Sequence, residues 1–379
     1  MTARSSQNAP RPLAFALDAG PGEWAAARKD GADAYRRAVD RTIALARIAE
    51  QAGITSFWAM EDPDGWDAFA VLGAVARATE RIQLGTGVTN PYYRHPSLIA
   101  ASIATLDALS DGRAFLGFGR GQAEWYQRAL GIAVGRPLRA LAEAIDLFHA
   151  WWRIPSEASS PDTATEFHVD AWKRGISPVQ PRIPIYLAAV GPQALRLAGR
   201  KADGVLFNDL ASRHFIADAI ETVRASARAA GRDPDALRFV ARAAVTITDD
   251  PEALYERRKA TVAIIHALPG MERLLATPGY DIDAIIGTVR RVMRTDEVLA
   301  RGGAFADLRE AGDLEAAKRA IPTDLMRELV IAGPASVVRN RLAELQDLGV
   351  TDVVLAQPGP DATVESLSAL LDSIAPDPR

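Results

Sequence analysis

The residue types that carry chemistry are unevenly supplied in this sequence. None of its 379 residues is a cysteine, which excludes thiolate nucleophiles, iron–sulfur clusters and cysteinyl zinc. The histidines are five, and they are scattered: His95, His149, His168, His214 and His266. They form neither an HxH pair nor an HExxH motif, and no GxSxG motif marks a serine nucleophile. We therefore expect no metal site and no nucleophilic catalysis.

Carboxylates are the remaining side chains for acid–base chemistry. Glu61, Asp62 and Asp64 lie together in the segment EDPDGWD. A pair of carboxylates at such spacing suits proton transfer. Solvation of a loop, or capping of a turn or helix, explains the same cluster equally well.

Glycines cluster in two neighbouring segments, IQLGTGV and FLGFGRG. Glycine at these points lets a flat ring or another backbone approach closely, although bulges and tight turns give the same pattern. A third segment, AAVGPQALRLAG, places Gly191 and Pro192 at the start of a predicted helix. Backbone N–H groups at a helix start can bind the phosphate of a cofactor, but Gly–Pro also serves as a simple stop-and-start signal.

The elements that would position these residues alternate regularly between helix and strand. Apolar residues at helical spacing precede short apolar runs, and this unit recurs along the chain. The predicted strands are 13–17, 54–60, 82–88, 113–119, 183–189, 204–208, 239–248 and 350–356. The predicted helices between them are 34–53, 68–78, 97–109, 138–152, 192–200, 216–230 and 335–348. Eight such units predict an α/β fold, a (β/α)8 TIM barrel, with a doubly wound sheet as the alternative.

Two stretches interrupt this rhythm, after the fourth strand and before the eighth. They are residues 154–180, rich in Pro, Ser and Asp, and residues 268–333, which hold several short helical patterns. We interpret 1–379 as a single barrel domain with these two insertion segments. Because barrel active sites lie at the carboxyl ends of the strands, an insertion there is a candidate lid, and a remote surface elaboration is the equal alternative.

The composition limits the classes of function. Lys and Arg number 44 against 48 Asp and Glu, a formal charge of −4, so no long-range field attracts nucleic acid or anionic lipid. The apolar run LAFAL is too short for a signal peptide, and no stretch of 18 apolar residues suggests a membrane span. We expect a cytoplasmic protein that acts on small molecules, with no nucleic-acid or membrane partner.

In their order, these segments resemble the bacterial-luciferase-like superfamily of flavin- and deazaflavin-dependent barrels. The segment LGTGVTNPYYRHPSLIAASIATLDALSDGRAFLGFGRG, residues 84–121, is most similar to the branch that contains methylenetetrahydromethanopterin reductase, which uses the deazaflavin coenzyme F420. The resemblance extends over residues 49–63, 184–208 and 332–355. FMN-using relatives share much of the same pattern.

The resemblance implies three groups of cofactor-binding residues. The face of the ring would lie on Thr86, Gly87, Val88, Thr89 and Asn90, with a non-proline cis peptide at Gly87–Val88. The edge of the ring would meet Gly119, Gly121 and Gln122. The coenzyme phosphate would be held by backbone amides of the segment Val190, Gly191, Pro192 and Gln193.

Two departures from the family pattern bear on proton transfer. Glu61 and Asp62 stand where several relatives have an Asp–His pair, and Gln122 stands where some have an acid. The family's acid or base therefore does not carry over, and Asp62 and Glu124 become the candidate catalytic residues. His95 precedes Pro96 at a predicted helix start, so we expect capping rather than catalysis.

The leading hypothesis is an oxidoreductase that moves a hydride between C5 of reduced coenzyme F420 and an unsaturated or carbonyl-like carbon of a small substrate. One alternative is an FMN-dependent monooxygenase that uses O2 and a partner reductase. Another is a barrel that binds a flavin without catalysis. An aldolase or a sugar isomerase is a further alternative on fold alone, but the sequence shows neither a lysine at a strand end nor a metal cluster to support it. The resemblance also implies a homodimer, with the helix 97–109 as a small-residue surface.

Overall fold

The computed structural model describes residues 12–19, 30–61, 65–122, 126–128, 130–153, 157–243, 245–303, 305–356, 358–359 and 361–376. These residues form a closed barrel of parallel strands, and its neighbours run in the order β1-β8-β7-β6-β5-β4-β3-β2. The strands are β1 (Ala14–Ala19), β2 (Ser56–Ala59), β3 (Gln83–Thr86), β4 (Ala114–Phe118), β5 (Ile185–Ala188), β6 (Gly204–Phe207), β7 (Arg238–Ala243) and β8 (Asp352–Leu355). The predicted TIM barrel is confirmed.

Helices cover the outside of the barrel. They are α1 (Ala32–Ala52), α2 (Ala68–Ala78), α3 (Pro96–Leu109), α4 (Pro137–Trp151), α5 (Pro192–Lys201) and α6 (Arg213–Ala229), followed late in the chain by α13 (Ala335–Leu348) and α14 (Val364–Ile374). Local signals set several of these ends. Asp67 caps α2 by accepting from the N–H groups of Phe69 and Ala70. Gly349 ends α13 at a φ of 102°, a left-handed conformation that favours glycine.

Aromatic side chains fill the barrel interior. The rings of Trp58 and Phe115 lie 4.3 Å apart, and Tyr186 lies 5.4 Å from Trp58. Two glycines make room for this packing. A Cβ at Gly85 would lie 2.1 Å from the carbonyl oxygen of Phe115, and one at Gly117 would lie 1.9 Å from that of Thr86. These two glycines therefore serve close packing of β3 against β4.

The predicted seventh strand, 239–248, is wrong at its carboxyl end. Strand β7 ends at Ala243, and Thr246–Ile247 pairs in parallel with Ala332–Gly333 in a separate two-stranded sheet. The reason is long-range pairing: Thr246 is the donor of a backbone hydrogen bond to Ile331, 3.0 Å away. The chain thus leaves the barrel and returns to it at one place.

Between these two short strands the chain is helical. Its elements are α7 (Pro251–Thr261), a π-helical turn (Val262–His266), α8 (Ile282–Met293), α9 (Thr295–Ala300), α10 (Phe305–Ala311), α11 (Leu314–Ala320) and α12 (Thr323–Leu329). They share an apolar cluster that includes Val262, Val289, Met293 and Leu325, distinct from the core beneath the barrel helices. We call residues 248–331 the helical segment.

The other interruption contains a small antiparallel ladder between Glu157–Ala158 and Trp172–Lys173. In the part of the chain that the structure describes, no helix combines the length and apolar character needed to cross a membrane.

Candidate active site

The carboxyl ends of β3, β4 and β5 meet at three small or apolar residues. A Cβ placed on Gly119 would lie 3.0 Å from Cγ2 of Val88 and 3.3 Å from Cβ of Ala188. Glycine at this position therefore allows the three strand ends to approach one another. The residues predicted for the face and one edge of the ring thus lie on neighbouring strands.

The peptide bond between Gly87 and Val88 is cis, as the resemblance implies. Beyond it, Thr89 forms an isolated parallel bridge with Phe118 of β4. The hydroxyl of Thr86 donates to the carbonyl oxygen of Gly117 over 2.6 Å. Backbone and side-chain contacts to β4 therefore hold the segment on both sides of the cis bond.

Asn90 closes the turn that follows. Its side-chain oxygen accepts from the N–H groups of Tyr92 and Tyr93, at 3.0 and 3.3 Å, and its amide donates to the hydroxyl of Tyr126 at 3.4 Å. Asn90 is 2% exposed. The polar groups of this side chain are thus directed at the local backbone and at the loop beyond β4.

Glu61, at the end of β2, is committed to an ion-pair network. One carboxylate oxygen accepts from Nε of Arg94 at 2.7 Å, and the other accepts from the hydroxyl of Thr89. A second branch of the Arg94 guanidinium contacts Asp67 at 2.6 Å. Burial opposes ionisation of Asp67, but the hydrogen bond from Arg94 holds the pKa of that carboxyl below its usual value. Glu61 therefore fixes the position of Thr89.

Asp62, predicted as a catalytic residue, lies outside the described residues, as does Asp64. The same holds for Glu124, the other predicted catalytic residue.

A charged pair that the sequence does not single out lies in the barrel mouth. Arg242, near the end of β7, contacts the carboxylate of Asp18 in β1 at 2.8 Å and donates to the carbonyl oxygen of Gly87 at 2.9 Å. Side chains two residues apart in a strand point to the same face, and Val240 of β7 faces the barrel interior. This alternation is the sequence signal that places Arg242 on the inner face. A charge on the inner face of an apolar strand indicates a specific partner.

Asp18 differs from the other carboxylates of the site. Burial raises the pKa of its carboxyl; the Arg242 guanidinium opposes that effect, and the charge of Asp209 adds to it. Within the described part of the chain, Oδ1 of Asp18 is buried without a hydrogen-bond partner. Nε of Arg242 is likewise buried without a hydrogen-bond partner among the described residues, so these two atoms are left to meet a ligand.

The start of α5 is open to an anion. Gly191 precedes the helix, no side chain caps it, and a Cβ on Gly191 would have no heavy atom within 4 Å. Pro192 has no N–H, so the following Gln193 offers the first backbone donor of the turn. Backbone N–H groups at a helix start without a side-chain cap match the chemistry of a phosphate.

The loop after β4 bounds a cavity. Gly121 has a φ of 57°, and a Cβ there would lie 2.1 Å from the Tyr126 hydroxyl, so this turn requires glycine. The next residue, Gln122, lines a cavity of about 220 Å³ between this loop and the helical segment. Of the three residues predicted for the ring edge, Gly119 thus lies at the strand ends and Gln122 on the cavity wall.

The helical segment is held over the carboxyl ends of the strands by polar contacts. Nε2 of His266 donates to the carbonyl oxygen of Asp209, at 2.9 Å, and Arg258 pairs with the Asp209 carboxylate. On the opposite flank, Arg128 donates to the carbonyl oxygen of Leu299 at 2.9 Å. The segment therefore bridges the loops that follow β4 and β6.

His95 has the role expected for it. Its Nδ1 accepts from the N–H of Ser97 at 3.2 Å and caps α3. Burial lowers the pKa of the His95 imidazole, which keeps it neutral and able to accept this bond. Among the described residues, no group of three His, Asp or Glu side chains is placed to hold a metal ion.

Residues 22–352, most of the chain, match the family described as luciferase-like monooxygenase. The chain belongs to that family. Among its relatives in the luciferase-like family is 5,10-methylenetetrahydromethanopterin reductase of Methanolobus tindarius, 32% identical over 83% of this chain and 90% of the relative. An F420-dependent hydroxymycolic acid dehydrogenase of Mycobacterium tuberculosis is 37% identical over 56% of this chain and 61% of its own length.

The solved structure of an F420-dependent reductase has the same fold as this chain. The coenzyme F420 dependent tetrahydromethanopterin reductase from Methanopyrus kandleri superposes with a TM-score of 0.68 at 26% identity, covering 96% of this chain and 97% of that one.

Proposed function

We propose that this chain is an oxidoreductase that transfers a hydride between coenzyme F420 and a carbonyl carbon, or the corresponding alcohol carbon, of a small organic substrate. The observation that carries the proposal is the open, uncapped start of α5 beyond β5, next to strand ends packed closely around Gly119. An uncapped helix start suits the phosphate of a coenzyme, and small residues at strand ends suit the close approach of a planar ring. Relatives named as F420-dependent enzymes favour the deazaflavin.

In this proposal, three groups of residues bind the coenzyme. Thr86, Gly87, Val88, Thr89 and Asn90 support the ring face, Gly119, Gly121 and Gln122 meet its edge, and Val190, Gly191, Pro192 and Gln193 hold its phosphate. The contacts of Thr86 to Gly117, and of Thr89 to Glu61, hold the ring-face segment before any ligand arrives. Such prior positioning lowers the entropic cost of binding.

When bound by these three groups, reduced F420 would supply the hydride for the carbonyl carbon. The electrons of the C=O π bond would then pass to the carbonyl oxygen, which would take one proton. The protein must hold that proton. Asp18 suits the task because burial raises the pKa of its carboxyl and leaves Oδ1 without a partner among the described residues. Asp62 and Glu124 remain proposed proton-transfer residues alongside it. Arg242 then acts as a positioning residue, since it orients Asp18.

The test is a titration of the purified protein with coenzyme F420 and with FMN, in which binding is measured by fluorescence quenching. We expect F420 to bind. In the absence of oxygen, we expect a panel of ketones to oxidise reduced F420, with one molecule of alcohol formed for each molecule of F420 oxidised. Tight binding of FMN, with turnover that depends on O2 and a partner reductase, would identify a monooxygenase instead. Binding of either cofactor without any turnover would indicate a non-catalytic flavin-binding barrel.

We also propose that the chain acts as a single barrel domain and forms a homodimer through α3. Leu98 and Leu109, on the outer side of this helix, are 49% and 38% exposed. Apolar side chains on one helix face favour association. Light scattering is expected to give twice the chain mass, and Leu98→Glu is expected to give the monomer. A parent protein that is already monomeric would overturn this part of the proposal.

A further inference from the structure

The cavity beside Gln122 carries an inference about the substrate. Its far wall comes from the helical segment, through the turn at Leu268 and Pro269, the end of α9 and the start of α10. Its near wall is formed by Gln122 and Arg128, and Gln122 belongs to the proposed ring edge. A molecule reacting at the proposed ring edge would therefore extend into this space.

The lining of the cavity is largely apolar. Leu268, Pro269, Leu299, Ala300, Phe305 and Leu308 form most of it. Among the described residues, the polar side chains of the lining are Gln122, Arg128 and Asp296. One nitrogen of the Arg128 guanidinium, Nη1, donates to the carbonyl oxygens of Leu299 and Ala300, at the end of α9. In the part of the lining that the structure describes, apolar side chains thus outnumber polar ones.

The size of the cavity restricts its occupant further. At about 220 Å³ it is smaller than the roughly 300 to 1,000 Å³ of a site that encloses a whole drug-sized ligand. A polar heterocycle placed here would exchange hydrogen bonds to water for contacts with mostly apolar side chains, and each polar group left unpaired would cost about 1 to 3 kcal/mol. An alkyl chain suffers no such loss, and it gains from burial.

We propose that this cavity binds the alkyl chain of the substrate, so that the substrate is a ketone, or its secondary alcohol, with one unbranched apolar arm. This inference rests on the proposed function, since the hydride donor must lie beside Gln122. It makes the helical segment the part of the chain that selects substrates by the length of the arm.

Binding of a series of 2-alkanones to the protein loaded with oxidised F420 tests the inference. Ketone and oxidised coenzyme do not react, so calorimetry measures binding alone. From 2-butanone to 2-decanone, we expect the dissociation constant to fall by about fourfold for each methylene buried, then to level off once the cavity is full. Affinity that does not change with chain length would overturn the inference.

A cavity-filling variant locates the effect. Ala300, the last residue of α9, is exposed and lines the cavity, so Ala300→Phe is expected to fill it without disturbing a packed core. Ala229, the exposed last residue of α6, lies outside the lining, and Ala229→Phe is the matched control. We expect Ala300→Phe to weaken 2-decanone at least tenfold, with 2-butanone and F420 within twofold of the parent and of the control.

The failure of this inference and that of the proposed function are distinguishable. Equal weakening of 2-butanone and 2-decanone by Ala300→Phe would overturn the inference while F420 binding stands. Absence of F420 binding to the parent protein, read separately by fluorescence quenching, would overturn the proposed function and with it the inference.

Discussion

Arg242 donates a hydrogen bond to the carbonyl oxygen of Gly87 across the mouth of the barrel, over 2.9 Å. Strand β7, which carries Arg242, is four strands from β3 in either direction around the ring, so the side chain spans the opening. Its other partner, Asp18, belongs to β1. One guanidinium therefore connects three sides of the barrel at the point where the coenzyme ring is proposed to lie.

Replacing Arg242 by methionine should destabilise the fold. The change leaves the Asp18 carboxylate buried and unpaired. Removing one partner of a buried ion pair lowers the free energy of unfolding by about 3 to 5 kcal/mol. Urea denaturation measures the loss. The double variant Asp18→Asn with Arg242→Met is expected to be more stable than Arg242→Met alone. If the two effects simply add, the pair is not coupled.

Gly191→Asp should change stability and coenzyme affinity in opposite directions. Because the φ of Gly191 is −73°, any residue fits there, and an aspartate would cap the uncapped α5 and stabilise the protein by a few tenths of a kcal/mol. Its charge would repel the phosphate and weaken F420 at least about tenfold. Gly191→Asn caps without charge and is the control. Equal effects of the two variants on F420 binding would argue against a phosphate at this helix start.

Gly119→Ala should disturb the place where three strand ends meet. The added methyl group would press on Val88, 3.0 Å away, and we expect about 1 to 3 kcal/mol of destabilisation with weaker coenzyme binding. Adding Val88→Ala to this variant should restore much of the lost stability and of the lost coenzyme affinity. Gly175→Ala is the control, because a Cβ there meets nothing within 4 Å. Failure of the second change to rescue the first would show that Val88 is not the obstacle.

Arg94→Lys should destabilise the protein although it keeps the charge. A lysine cannot reproduce the fork that contacts Glu61 and Asp67 together, and the buried Glu61 oxygen loses its donor. We expect a loss of about 1 to 3 kcal/mol in chemical denaturation. Arg36→Lys, in an exposed pair with Asp33, should cost less than about 0.5 kcal/mol. Similar small losses for both variants would contradict the proposed rigidity of the Glu61 network.

His149 should make the fold sensitive to acid. Burial, aided by the charge of Arg182, lowers the pKa of His149 to about 4. Between about pH 6.5 and pH 4 the unfolded chain binds a proton at this residue that the folded protein does not, so stability falls as the pH falls. Relative to His149→Gln, the parent should lose roughly 2 to 3 kcal/mol across this range. Denaturation at pH 7, 5.5 and 4 measures it, and parallel curves would exclude the effect.

Local signals explain what the sequence predicts well. Helices α2 and α13 have the predicted bounds because a capping Asp67 begins one and Gly349 ends the other. The seventh strand was predicted too long because Thr246 and Ile247 continue its β-branched pattern. Their partners, Ala332 and Gly333, lie far along the chain, and no local signal reveals such pairing.

The site divides in the same way. The resemblance implies the cis bond at Gly87–Val88, which the structure contains, and the sequence predicts the capping role of His95. The link between Arg242 and Asp18 depends on which face of each strand points inward and on the closure of the barrel. Alternation along β7 places Arg242 on the same face as Val240, but spacing along the chain does not show which strands lie opposite it. Asp62 and Glu124 stay predictions.

The helical segment enters and leaves the barrel through two short strands that pair side by side, Thr246–Ile247 and Ala332–Gly333, and it carries an apolar cluster of its own. A piece of chain with adjacent ends and a largely separate apolar core, to which Leu210 after β6 also contributes, can be exchanged between related barrels while the strand order stays intact. If the helical segment selects substrates as proposed, chimeras joined at this two-stranded junction are expected to change the substrate range while F420 binding stays unchanged. Exchange of the helical segment between related barrels requires no change in the residues proposed to bind the coenzyme.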